Sequence, residues 1–254
     1  MLKLVKYEIR KSLTGIMVMS GILIALEMYY IISVVMKNED HTVASLALFF
    51  VGAMVAYFYT FYFGIATYSK ELKSKTGYLT FMSPVSSFSI IGAKLLATFV
   101  IGIIFLGIII IFTSVNIPLL KNIFPEISIV SELMKLISEN IGFSTSQLIL
   151  GVIVSVADFL ISFYATISVA YMAITLSSTL LQNKKYKGVV SVIFFFIITF
   201  ITQKIFSLFP NIYDEITNMG QAVISVIPSL VYYLIIAIAA IFVSGKFLDK
   251  KVSL

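Results

Sequence analysis

The chain of 254 residues has no cysteine, no tryptophan, one histidine, five prolines and only 12% charged residues. Without cysteine there is no disulfide framework and no thiolate ligand set, so no redox compartment can be assigned. A single histidine, His41, excludes a multi-histidine metal centre and any catalytic set that needs two imidazoles, and no metal site is expected. The shortage of charge is the most informative lack. A soluble domain carries about 25% charged residues, whereas here 60% of residues are hydrophobic and the mean hydropathy is +1.07. The sequence therefore reads as an all-α polytopic membrane protein. Its 18 basic against 12 acidic residues and its pI near 9.3 point to membrane topology, and nucleic acid is not an expected partner.

Six stretches meet the roughly 20 apolar residues that a bilayer requires. They lie near 13–36, 43–68, 90–115, 147–177, 187–209 and 228–247. With both termini on the cytoplasmic side, the inner segments hold Lys3, Lys6, Arg10, Lys11, Lys70, Lys73, Lys75, Lys94, Lys184, Lys185, Lys187, Lys246, Lys250 and Lys251. Only Lys37, Lys121, Lys135 and Lys204 fall outside, which is the distribution that orients membrane proteins.

The chain is organised around a polar island, residues 69–94, set between two of these runs. It holds four lysines, one glutamate and many hydroxyls, so it belongs in water while its flanks belong in lipid. Leu72, Leu79 and Met82 fall at helical spacing, which predicts a short amphipathic helix ended by Pro84. Ser86 and Ser87 are placed to cap the next span.

The flanking segments follow the same logic. Leu2, Val5, Ile9 and Leu13 repeat at helical spacing opposite Lys3, Lys6, Arg10 and Lys11, which predicts an N-terminal interfacial helix over 1–12. Its basic start resembles a signal peptide, but no small-x-small cleavage site follows. Val130, Leu133, Met134, Ile137 and Ile141 predict a second surface helix on the outer side. Residues 210–227 are too apolar for a free loop and too short to span. A re-entrant or interfacial helix is expected there, with Pro228 in the first turn of the last span.

Within the island stand Glu71, Gly77, Pro84-Val85-Ser86, Ile90 and Gly92-Ala93-Lys94-Leu95. This order is similar to the coupling segment of ABC exporter permeases of the type-two class, the family of bacterial drug, polysaccharide and antimicrobial-peptide exporters. The basic N-terminal helix, the six spans, the inside termini and the helical element before the sixth span extend the resemblance over nearly the whole chain. It implies one transmembrane permease domain over 1–254, in a bacterial plasma membrane. It also implies a second permease copy or a homologous permease, and a separate ABC ATPase that carries ATP and magnesium. No G-x-x-x-x-G-K-[ST] occurs here, since Gly245-Lys246 lacks the upstream glycine. The chain is thus expected to be no enzyme and to bind no cofactor of its own. Leu72, Leu79 and Met82 would meet the ATPase, with Glu71, Lys73 and Lys75 as a polar rim and Gly77 allowing close approach or a bend.

Two acids lie inside spans: Glu27 in the first and Asp158 in the fourth. A charge at mid-helix costs about 2.5–3.5 kcal/mol on insertion scales, while each Leu, Ile, Val or Phe returns about 0.3–0.6. Both acids must then face protein or water, as substrate-path groups or as a packing network. Gln203 and Lys204 are their expected partners. In span two Gly52, Ala56, Thr60 and Gly64 form a small-residue ladder, faced by aromatics that include Tyr57. Thr60 and Tyr57 join the path candidates, and the aromatic wall fits an amphipathic or lipidic substrate. One alternative is an ion-coupled secondary transporter that protonates Glu27 and Asp158. An intramembrane aspartyl-type hydrolase would pair the same carboxylates, but no flanking motif supports it.

Overall fold

The computed structural model describes residues 2–73, 86–123, 145–181, 186–209 and 219–252. Among the described residues there are six helices and no strand: α1 (Leu2–Val35), α2 (Glu39–Lys73), α3 (Ser87–Ile123), α4 (Thr145–Leu180), α5 (Lys187–Phe206) and α6 (Met219–Val252). All six are long and apolar enough to cross a membrane, consistent with a multi-pass membrane protein. The expected outer helix near 130–141 lies outside the described residues.

Three boundaries differ from the sequence-based expectation. The N-terminal interfacial helix is not a separate element, because α1 runs unbroken for 34 residues from Leu2. No proline interrupts it, and Ser12 returns its hydroxyl to the Ile9 carbonyl at 2.8 Å. Nor is the stripe the expected one. Leu2 and Leu13 are exposed, while Val5, Glu8, Ser12, Ile16, Met19, Leu23, Glu27 and Tyr30 are buried. Second, residues 69–73 do not begin a new helix but continue α2. Third, α6 starts by Met219 and carries Pro228 within it rather than in its first turn. Membrane helices tolerate such a proline where neighbouring helices and Ser hydroxyls satisfy the freed groups. Here Pro228 frees the Ile224 carbonyl, and the neighbouring Ser225 donates to the Ala222 carbonyl at 2.7 Å.

The first loop is shorter than the gap left between the first two expected spans, 13–36 and 43–68, since α2 already begins at Glu39. Lys37 sits at φ 54°, its N–H bonds the Val34 carbonyl at 3.0 Å, and the Asn38 N–H bonds the Ser33 carbonyl at 3.3 Å. These two bonds close α1 as a Schellman motif. Asn38 then caps α2, its Oδ1 accepting the His41 N–H at 3.1 Å. Glu39 and Asp40 in the first turn suit the positive end of the helix dipole. At the start of α3 the Ser86 hydroxyl accepts the Ser89 N–H at 3.3 Å, so the expected serine cap is present.

The helices fall into two compact units. The first holds α1, α2 as far as Gly64, and α3 from Ala93. Its core joins Ile16, Met19 and Leu23 of α1, Ala56 of α2, and Ile101 and Phe105 of α3. The second holds α2 from Ile65, the first turns of α3 up to Gly92, and α4 to α6. There α4 packs along both α6 and α5, which touch each other lightly. Its buried side, from Phe163 to Ile174, is rich in alanine and other small residues, which let neighbouring backbones come close.

Candidate functional site

In the second unit both approaches to the polar island are fixed. Tyr68, fully buried near the end of α2, stacks on Tyr171 of α4 with ring centroids 4.1 Å apart. Its hydroxyl meets the Thr175 hydroxyl at 2.5 Å. One turn later Leu72 lines a small recess with Ile174, Ser177, Ser178, Lys187 and Ser191 of α4 and α5. Ser177 there donates to the Lys187 carbonyl at 2.6 Å, tying α4 to the start of α5. On the far side of the island Phe88 of α3 packs against Phe242 of α6, centroids 6.2 Å apart. It also covers Gly245, where an added Cβ would fall 2.4 Å from its ring. Glu71, Leu72 and Lys73 are thus the last residues of α2. Lys75, Gly77, Leu79 and Met82 lie outside the described residues.

The same unit holds a cavity of about 90 Å³ between α4, α5 and α6. Ser162, Thr166, Thr199, Thr202, Gln203 and Tyr232 supply its polar lining. The Thr199 hydroxyl is buried with no hydrogen-bond partner, and the Tyr232 hydroxyl donates to the Thr202 carbonyl. A polar space of this size has room for several water molecules. Asp158 stands one helical turn from Ser162 on α4, and its Oδ1 accepts from Ser229 of α6 at 2.6 Å. The expected link of Asp158 to Gln203 or Lys204 is therefore replaced by a serine. Gln203 lines the cavity, whereas Lys204 is exposed, with its ammonium 5.9 Å from the Phe200 ring centroid.

No family model, no curated protein and no solved structure matches the chain. Its chemistry has to be read from its own geometry.

In the first unit Glu27 is buried on α1, and its partner is Asn116 of α3, whose Nδ2 donates to Oε2 at 3.1 Å. Neither Gln203 nor Lys204 takes that place. Thr60 is buried on the ladder face of α2, its hydroxyl bonded back to the Ala56 carbonyl at 2.9 Å. Tyr57 lies on an exposed face, beside Phe58. The path candidates thus divide: Gln203 lines the cavity and Asp158 stands one helical turn from its Ser162, Thr60 is a helix-packing residue, and Tyr57 points outward.

The small-residue ladder is a packing surface. Gly52, Ala56, Thr60 and Gly64 are all buried, and Leu26 and Leu23 of α1 rest on Gly52. A Cβ there would fall 2.5 Å from the Leu26 Cδ1. Gly52→Val is expected to cost about 1–3 kcal/mol through overpacking. Gly107→Ala, inside α3 where nothing lies within 4 Å, serves as the control and is expected to cause no loss of stability, with a gain of up to about 1 kcal/mol. Thermal unfolding of both variants in detergent checks this; equal midpoints would mean that α1 and α2 do not meet at Gly52.

One charged contact had no counterpart in the sequence reading. Lys94 of α3 places its Nζ 2.7 Å from Glu8 Oε1 of α1, with the two side chains 2% and 9% exposed. In the sequence Lys94 belongs to the island, to the topology signal and to the Gly92-Ala93-Lys94-Leu95 element, none of which points to Glu8. The available signal was Glu8, the one acid among the four basic residues that open the chain, standing one turn from Val5 on one side and one turn from Ser12 on the other, along a single stripe.

Proposed function

We propose that the chain is the membrane-spanning permease subunit of an ATP-driven ABC exporter in a bacterial plasma membrane, both termini cytoplasmic. It forms a substrate path and works with a second permease and a separate ATPase that binds ATP and magnesium. The observation that carries this reading is the anchoring of the island on both sides of its centre: Tyr68 to α4 just before it, Phe88 to α6 towards its end. A force applied to residues 74–85 by a docked ATPase would reach two spans at once. The polar cavity beside Asp158 supplies the other requirement, a place within the spans for the head of an amphipathic molecule, with membrane lipid around it.

Leu79, at the centre of the proposed ATPase contact, gives the test. An apolar anchor at an interface centre commonly accounts for 2 kcal/mol or more, roughly a thirtyfold change in affinity. Leu79→Asp is expected to release a P-loop ATPase that co-purifies with the wild type, without reducing membrane insertion. If wild-type protein brings down no such ATPase, the permease reading fails; if the variant keeps it fully, the docking element is elsewhere. The ion-coupled alternative draws on the buried Glu27, and it forecasts that no ATPase accompanies the wild type.

A further inference from the structure

We infer that Glu27 and Asn116 form a proton-binding site, in which one proton on the carboxyl closes a cyclic acid–amide pair between α1 and α3.

The count of donors and acceptors leads to this. Asn116 Nδ2 donates to Glu27 Oε2 at 3.1 Å. The other oxygen of each group, Glu27 Oε1 and Asn116 Oδ1, is buried without a hydrogen-bond partner. An ionised carboxylate only accepts, and so does an amide oxygen, so the pair is one donor short. A proton on Oε1 makes that atom a donor and gives Oδ1 its missing bond. Turning the amide over does not help, since its oxygen would then face a carboxylate oxygen and the existing bond would be lost.

Among the described residues the surroundings offer no other donor. Glu27 is 4% exposed and Asn116 9%, so bulk water does not reach them. The Tyr30 hydroxyl is committed to the Asn116 main-chain carbonyl at 3.3 Å. Ser33 donates to the Tyr30 carbonyl or to Ser45, not to either orphan oxygen. Of the ionisable side chains on the packed helices, Lys94 is engaged by Glu8, and His41 at the hairpin by Tyr29. Glu39 and Asp40 in the first turn of α2 are exposed and acidic, and cannot neutralise a carboxylate. Lys121 follows Asn116 on α3, in a turn whose side chains lie outside the described set. A hard metal cation takes six or more oxygens as a rule, and only two here are uncommitted. A proton meets the need with one atom.

Bound, the proton fastens α1 to α3. Released to water, it leaves a buried negative charge and two buried acceptors without a donor, which weakens the join between the helices. The site does not depend on the exporter reading, since it concerns two spans and not the ATPase contact.

Infrared spectroscopy of the full chain in lipid nanodiscs tests it, with Glu27→Gln as the reference. Gln supplies an N–H at the place of the acid proton, so this variant is expected to keep the wild-type unfolding temperature. The wild-type-minus-variant spectrum is expected to show the C=O band of a protonated carboxylic acid. That band should shift in deuterated buffer and move in frequency in Asn116→Leu. Loss of carboxylate bands instead overturns the proposal. A sodium-dependent rise in wild-type unfolding temperature that Glu27→Gln abolishes also overturns it, in favour of a metal cation.

Discussion

Lys94→Ala is expected to destabilise the protein by about 3–5 kcal/mol, the cost of leaving a buried carboxylate without its partner. Glu8 is the group left behind, and its Oε2 already has no hydrogen-bond partner. With Lys94 gone, Oε1 loses a charge-assisted bond of 2.7 Å in a site where the two side chains are 2% and 9% exposed. Surface pairs are worth about 0–1 kcal/mol, so burial decides the size of this effect. Glu8→Ala is expected to destabilise as well, because it removes the carboxylate from a lysine side chain only 2% exposed. The double change Glu8→Leu with Lys94→Met should recover most of the loss, because apolar residues of similar volume often replace a buried pair without penalty. Denaturant unfolding of the four proteins in detergent measures all three differences. A Lys94→Ala loss below about 1 kcal/mol would place the pair among the weak surface bridges.

This pair also marks the limit of what the sequence discloses. Its members stand 86 residues apart, and nothing in local spacing connects a glutamate on α1 with a lysine on α3. The six spans were legible because each needs only its own run of apolar residues. The ladder from Gly52 to Gly64 was legible too, since small residues every fourth position declare a close-packed face. So was the Ser86 cap, which a serine before an apolar run signals by itself. Helix ends were less readable. Charge at 3–11 and Pro228 both suggested breaks, yet the helical backbone continues through both places, at Pro228 without one of its hydrogen bonds. The acids were recognised as turned to protein or water, but their partners were sought among the strongest polar groups, Gln203 and Lys204. The structure supplies Asn116 and Ser229 instead, an amide and a hydroxyl that carry no sequence signal in such apolar company.

The second large effect is expected at Tyr68. Tyr68→Ala should cost about 3–5 kcal/mol, the range for truncating a buried aromatic ring to a methyl group. Tyr68 is fully buried, and its ring lies nearly parallel to that of Tyr171, at 15° and 4.1 Å. Its hydroxyl contributes less. Thr175 also donates to the Tyr171 carbonyl at 2.8 Å, so it keeps a bond when the tyrosine oxygen is removed. Tyr68→Phe should therefore cost only about 0.5–1.5 kcal/mol, one ordinary hydrogen bond. The two variants separate the ring from the oxygen, and denaturation midpoints at unchanged slope give the comparison. If the phenylalanine variant falls as far as the alanine variant, the hydroxyl contact and not the stack holds α2 to α4. In the exporter reading the same residue transmits force from the island to α4. Tyr68→Phe should then keep substrate-stimulated ATP hydrolysis by the partner ATPase. Tyr68→Ala, assayed at a temperature where it stays folded, should retain the bound ATPase and lose the stimulation. Retained stimulation in the alanine variant would place the mechanical link at Phe88 and α6 alone.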